Sequence, residues 1–426
     1  MTQSTRDPAL LTRAQGLHYG LLGLPLAFVA LPLYVILPNH YAREFGVPLA
    51  TLGGVLLAAR LLDALIDPAI GRACDRLFVL SLRAVLLFGA GAAALLAIGF
   101  GLLLFPPTRS ADALVLWAGV LLVITYAAYS ALSVAHQSWG AMLGGGESYR
   151  SRVVAWREGL GLLGVVLASV SPVLWGLPVT LAIFCVALAL GWTAWTRAPR
   201  PQTARTHSAA DIWLPFTRPA FRRLLAVFVL NGIASAVPAT LVLFFVQDRL
   251  QAPKTVESLV LAVYFLCAAL SIPVWLRVVA RFGLARSWLL GMLLAVAAFI
   301  WATQLGAGDT KAFLVVCALS GLALGTDLAL PGAMLAGVIA EAGDRGRSEG
   351  AYFGWWNFAT KLNLALAAGL ALPLLGLFGY APGVRDAAAL QALTIAYCLL
   401  PCALKLAAGS TLYLLVIRSS SDPATP

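Results

Sequence analysis

The chain has 426 residues, of which 61% are hydrophobic and only 11% charged, and a formal net charge of +11. Soluble domains carry roughly 25% charged residues, so a soluble globular enzyme and a disordered chain are both excluded. The positive charge does not imply nucleic acid, because the basic residues are scattered over short segments and form no single patch.

A membrane-spanning helix needs about 20 apolar residues. Twelve candidates follow one another, near 16–38, 48–70, 84–104, 113–136, 157–175, 178–196, 223–247, 256–276, 287–305, 312–340, 351–378 and 388–416. Only the short turn WGLP separates the fifth from the sixth. The longest connection, RAPRPQTARTHSAADIWLPFTRPAFR, is rich in Pro, Arg and Thr and divides the spans six and six. The predicted fold is therefore an all-α membrane protein of twelve transmembrane helices. Residues 1–196 form one six-helix bundle, 197–222 a cytoplasmic linker and 223–426 a second six-helix bundle.

Charge sets the orientation. With the N-terminus cytoplasmic, 20 of the 29 Lys and Arg residues fall in cytoplasmic segments, six fall outside, and Arg60, Lys361 and Lys405 fall within spans. This bias is the positive-inside pattern. It predicts a multi-pass inner-membrane protein with both termini cytoplasmic, and no cleavable signal is expected. The six cysteines form no CxxC pair and read as small buried hydrophobes, and the four histidines are isolated, so no metal site or cofactor is expected.

The two halves share a local pattern. Pro68 follows Pro48 by 20 residues, and Pro273 follows Pro253 by 20. Aligned without a gap, Asp63 falls on Ala268 and Asp67 on Ile272. The second half thus builds the equivalent helix without either carboxylate, so the fold does not require them. Asp63 and Asp67, with Arg60 one turn earlier, lie on one stripe of an otherwise apolar helix. A charge at mid-bilayer costs about 2.5–3.5 kcal/mol even on the most lenient scale, and such residues mark pathways and bundle interiors. Two carboxylates one turn apart cannot both ionise cheaply in low dielectric, so the pair is expected to hold a proton unless a cation compensates. Arg60 can neutralise one of them. The competing reading is a structural ion network.

The stretch LPLYVILPNHYAREFGVPLATLGGVLLAARLLDALIDPAIGRACDR resembles the first two helices of the glycoside–pentoside–hexuronide:cation symporters, the melibiose-permease-like branch of the major facilitator superfamily. The resemblance recurs at YRSRVVAWREGLGLLG, GLALGTDLALPGAML and RGRSEGAYFGWWNFATKLNLALAAGLALPLLGLFGY, in family order. It implies that Asp63 and Asp67 occupy the two acidic cation-site positions of helix 2 and Arg60 the preceding arginine. It implies that Arg157 is a basic position opening helix 5, and Lys361 the helix-11 lysine near the cation and sugar sites. Asp63, Asp67 and Lys361 are then expected to line one central cavity. The chain departs from the family pattern at Ile66, where sodium-coupled members carry an amide. It departs again at Ala127 and Ser130, where a hydroxyl and an acidic residue are usual, at Ala27 on helix 1, and at Gly337 and Ala340 on helix 10. Without an oxygen-rich cage at Ile66 and Ala127, H+ is favoured over Na+ as coupling ion.

Further candidates for substrate binding or gating are Glu158 beside Arg157, Asp327 in GTDLALP, Tyr126 and Trp355. Pro331 frees a backbone carbonyl one turn from Asp327. Lys405 is open between an interhelical or lipid-headgroup contact and a functional role, and Lys361 between a gate and snorkelling to the surface. Gly159, Gly161 and Gly164 suit close helix approach. The function this predicts is secondary active, cation-coupled symport of a small polar solute, such as a glycoside or sugar derivative, by a monomer using alternating access. The alternatives on the same fold are an amphiphile or lysolipid carrier and an uncoupled facilitator. No P-loop, GxSxG motif or His/Cys/Asp cluster supports a membrane enzyme.

Overall fold

The computed structural model describes residues 11–418, apart from 46, 48, 109, 202–210, 381, 382 and 384. No strand occurs among the described residues. In the first half, α1 (Arg13–Gly20) and α2 (Gly23–Leu31) run through a π turn at Pro32–Ile36 into α3 (Leu37–Glu44). Then come α4 (Leu49–Leu80), α5 (Leu82–Leu104), α6 (Ala111–Met142) and α7 (Glu147–Thr196). The second half holds the single turn α8 (Leu214–Thr217), α9 (Pro219–Phe244), α10 (Lys254–Phe282), α11 (Leu284–Ala302), α12 (Thr310–Glu341), α13 (Glu349–Leu377), α14 (Ala387–Thr394) and α15 (Leu400–Leu412).

Local chemistry explains the boundaries. Thr12 and Gln15 exchange side-chain and backbone hydrogen bonds in a capping box that starts α1. Ser81, the one residue between α4 and α5, accepts a hydrogen bond from Ala84 N–H and turns the chain over. Within α7, Gly176 adopts φ 76° and ψ 172°, which breaks the fifty-residue helix into two arms at the WGLP turn. Those arms end and begin where the spans 157–175 and 178–196 are predicted. Pro401 offers no N–H to the Tyr397 carbonyl, and the turn before it widens to a π turn at Ile395–Leu399.

Nine helical stretches among the described residues are long and apolar enough to cross a membrane. At 32 residues, α4 is about 48 Å long, against a hydrocarbon core of about 30 Å.

Packing separates two compact units. The first contains Met1–Thr217 and Ala336–Phe358, the second Arg218–Leu335 and Ala359–Pro426. The break at Thr217 falls inside the expected linker 197–222. The return of 336–358 to the first unit differs from a simple division at that linker, and hydrogen bonds explain it. Asp75 Oδ1 accepts the Gly350 N–H at 2.6 Å and Asp75 Oδ2 the Ala351 N–H at 2.8 Å, so an α4 carboxylate caps α13. Arg345 donates to the Met142 carbonyl at 3.2 Å. At this crossing a Cβ on Gly71 would collide with the Gly350 carbonyl, and one on Gly350 with the Gly71 carbonyl, so the helices touch backbone to backbone.

Each unit has its own aromatic core. In the first, Tyr19 stacks on His136 at 4.4 Å, and Trp195 meets both His136 and Trp139 edge to face. Gly164 lets α7 lie against the backbone of α2 at Leu24, as its small size predicts. In the second, Phe245 stacks on Tyr397 at 4.3 Å beside Phe313 and Phe299.

Candidate functional site

The first unit gathers most of the predicted residues. Asp63 and Asp67 are 2% and 0% exposed on α4, so the stripe they share faces the unit's interior. The Ser130 hydroxyl on α6 donates to Asp63 Oδ1 at 2.9 Å. Ser130 stands where the family pattern has an acidic residue, and its hydroxyl nonetheless joins the carboxylate. Tyr129, one residue earlier, lies within electrostatic reach of four charges at once: Glu158, Asp63, Arg157 and Asp67. A single phenol therefore lies near both the α4 carboxylates and the α7 ion pair.

That ion pair is tight. Arg157 Nε and Nη2 both donate to Glu158 Oε1, at 2.9 and 2.5 Å, with both side chains largely buried. The Tyr19 ring on α1 also lies beside Arg157, and the Tyr19 hydroxyl donates to the His136 carbonyl at 3.1 Å. Arg60 is exposed, one turn from Asp63, and its charge reaches the Tyr126 phenol, as does that of Asp63. Arg60, Asp63, Asp67, Tyr126, Arg157 and Glu158 thus belong to one neighbourhood of α4, α6 and α7. Tyr129 and Ser130 complete it.

Trp355 lies elsewhere in the same unit. Its indole donates to the Ile212 carbonyl at 2.9 Å, and its ring packs against Trp213, Phe216 and Phe358. It anchors the end of the linker to the start of α13. At the same end of α13, burial pushes the Glu349 carboxyl up to about 7, against the opposing pull of the Gly346 N–H that it accepts at 2.6 Å. Burial also raises Asp75 well above the usual carboxylate range, although the Ala351 and Gly350 amides oppose it.

The second unit contains a different polar centre. Lys405 donates to Asn231 Oδ1 at 2.8 Å, Ser235 Oγ at 3.0 Å and Asp327 Oδ2 at 3.0 Å. Asp327 also accepts from Asn231 Nδ2 at 3.0 Å, Ser235 Oγ at 3.1 Å and Trp288 Nε1 at 2.8 Å. All three ammonium protons of Lys405 are therefore used. The network joins α9, α11, α12 and α15. It makes Lys405 an interhelical contact and gives Asp327 its counter-ion. It borders a cavity of about 170 Å³ between α9, α10, α11, α12 and the Ile395–Leu399 turn. Lys361, half-buried on α13, belongs to this unit too.

The sequence reading missed Asp75 as a helix cap and the Asp327–Lys405 pair. The second had a usable signal, since two opposite charges within spans of one half are costly until they meet.

Comparison with known proteins agrees with this architecture. The chain is 22% identical over 382 residues to the "Uncharacterized symporter YjmB" of Bacillus subtilis (strain 168), covering 83% of this chain and 81% of that one. Its fold is similar to a bacterial homologue of the iron transporter ferroportin in an outward-facing state, with a TM-score of 0.71, 16% identity and coverage of 96% and 100% of the two chains. It is also similar to the E. coli fucose:proton symporter, with a TM-score of 0.65, 16% identity and coverage of 93% and 99%. The model of the "MFS/sugar transport protein" family matches residues 18–419. The chain belongs to that family and is an integral, multi-pass membrane transporter of the major facilitator fold.

Proposed function

We propose that this transporter is a proton-coupled symporter of a small polar solute, such as a glycoside or sugar derivative, working by alternating access as a monomer in the inner membrane with both termini cytoplasmic. The observation that carries this reading is the burial of Asp63 and Asp67 on α4, with Ser130 bonded to Asp63 and Tyr129 within electrostatic reach of both them and the Arg157–Glu158 pair. A carboxylate pair needs no oxygen cage to carry a proton, and Ile66 and Ala127 supply no oxygen side chain for a sodium ion. Arg157 and Glu158, coupled to the pair through Tyr129, are the groups through which solute binding and protonation favour one another. The naming of YjmB as a symporter and the proton coupling named for the fucose transporter support the same reading.

The test is counterflow against net uptake for Asp67→Asn in proteoliposomes. The amide mimics a protonated carboxyl, so solute exchange persists while uphill accumulation disappears. An Asp67→Asn protein that still accumulates solute as wild type does would refute the role of the pair. Exchange of lysolipids and not of sugars would favour the amphiphile carrier.

A further inference from the structure

Two buried carboxylates meet where α13 begins. Asp75 on α4 is 1% exposed, and Glu349, the first residue of α13, is 0% exposed. The two lie within electrostatic reach of each other. Their hydrogen bonds differ. Both oxygens of Asp75 accept N–H groups of α13, from Gly350 and Ala351. Glu349 Oε1 accepts the Gly346 N–H, while its Oε2 is buried and finds no hydrogen-bond partner among the described residues. Burial raises both carboxyls. The two amide donors and the positive end of α13 place the pair's negative charge on Asp75, and the proton goes to Glu349.

Other ionisable groups on the neighbouring elements do not change this assignment. Arg345, in the turn before α13, favours the ionised Glu349 but is outweighed by burial, and it is itself faced by Arg150 of α7. Asp344 of the same turn accepts the Tyr352 hydroxyl at 2.7 Å. Cys74, beside Asp75 on α4, is kept a thiol by burial. Ionising Glu349 therefore puts a second negative charge next to Asp75 with one oxygen unpartnered, and water relieves both costs once the turn lifts off. The contact admits no gradual loosening. The backbones of Gly71 and Gly350 touch, so the first turn of α13 is either seated on α4 or off it. Because α13 runs from the first unit into the second, a hold on its first turn restrains the helix that links them.

We infer that Glu349 is a cytoplasmic proton sensor, which locks the first turn of α13 onto α4 when protonated and releases it when ionised. Acid on the cytoplasmic side then favours the seated state. For a symporter that delivers protons inward, this is feedback by its own product. The cytoplasmic placement and the feedback rest on the proposed function, whereas the lock itself does not.

The test is hydrogen exchange of the full-length protein in detergent between pH 5.5 and 7.5, corrected for intrinsic exchange rates. It is read on the Gly350 and Ala351 amides, with the Ala84 amide that Ser81 caps as internal reference. A carboxyl that titrates at about 7 when seated and at the ordinary 4.5 when released weakens the seating about 20-fold over that range. Protection of Gly350 and Ala351 should fall by that factor while Ala84 stays level. Glu349→Gln stays neutral and should keep the acid-level protection throughout, which also shows that the variant is folded. Wild-type protection that ignores pH overturns the inference. So does a fall in Glu349→Gln as large as in wild type, which would assign the titration to Asp75. No solute enters these measurements, so their failure leaves the proton-coupling reading standing. Solute accumulation that ignores an imposed pH gradient, beside the expected exchange results, refutes the coupling and the feedback and leaves the lock.

Discussion

Lys405→Met removes the ammonium from a centre where every proton is engaged. Three hydrogen bonds of 2.8–3.0 Å disappear, and Asp327 keeps only the neutral donors Asn231, Ser235 and Trp288. The Lys405 side chain is 5% exposed and that of Asp327 14%, so bulk water replaces the lost partner only in part, through the cavity they border. Breaking a buried pair on one side costs about 3–5 kcal/mol, because the surviving charge is left uncompensated. Asp327→Asn should cost a similar amount by stranding the ammonium. The double variant removes both charges, and it should be more stable than the sum of the two losses by about 2 kcal/mol or more. Thermal unfolding of wild type, both single variants and the double variant in one detergent measures the cycle. Single-variant losses below about 1 kcal/mol, or strict additivity, would refute the view that Lys405 and Asp327 hold the second unit's helices together.

Three other outcomes follow from the geometry. Gly350→Val drives a side chain into the Gly71 carbonyl and should separate α13 from α4, read as lost protection of the Gly350 and Ala351 amides in hydrogen exchange. The carboxyl of Glu349 is raised to about 7 by burial, so the folded protein holds its proton where the unfolded chain does not. The Glu349 share of the stability should therefore fall by about 3 kcal/mol as pH rises from roughly 4.5 to 7 and level off above. Asp75 acts with the same sign, so Glu349→Gln should remove the Glu349 share and leave that of Asp75 in an unfolding titration. A reporter fused after Pro426 should report a cytoplasmic location, and a periplasmic signal would break the topology derived from the 20-to-6 charge bias.

Hydropathy made the helices legible because each span must satisfy its backbone internally and present apolar surface to lipid. The break at Gly176 was legible as well, since glycine and proline within four residues leave a helix little choice. The π turn at Ile395–Leu399 was not, because the missing N–H of Pro401 does not by itself say whether the preceding turn widens or the helix ends. Of the site, the α4 carboxylates stood out as charges in an apolar run, and their burial follows. Ser130 departs from the family pattern, which has an acidic residue there, yet its hydroxyl reaches Asp63, a contact across 67 residues that no local pattern encodes. Closeness in sequence to a family motif does not fix where the Trp355 indole points, and its N–H goes to the Ile212 carbonyl. The Asp327–Lys405 pair spans 78 residues, and no local pattern encodes such a contact.

The most direct test of proton coupling is accumulation of a transported solute in proteoliposomes under an imposed pH gradient, with an imposed sodium gradient in a parallel set. The buried Asp63–Asp67 pair predicts accumulation that follows the pH gradient, ignores sodium and is lost in Asp67→Asn while exchange survives. Accumulation that follows sodium and ignores pH would contradict it, and accumulation that follows neither would make the protein a facilitator and the two aspartates structural.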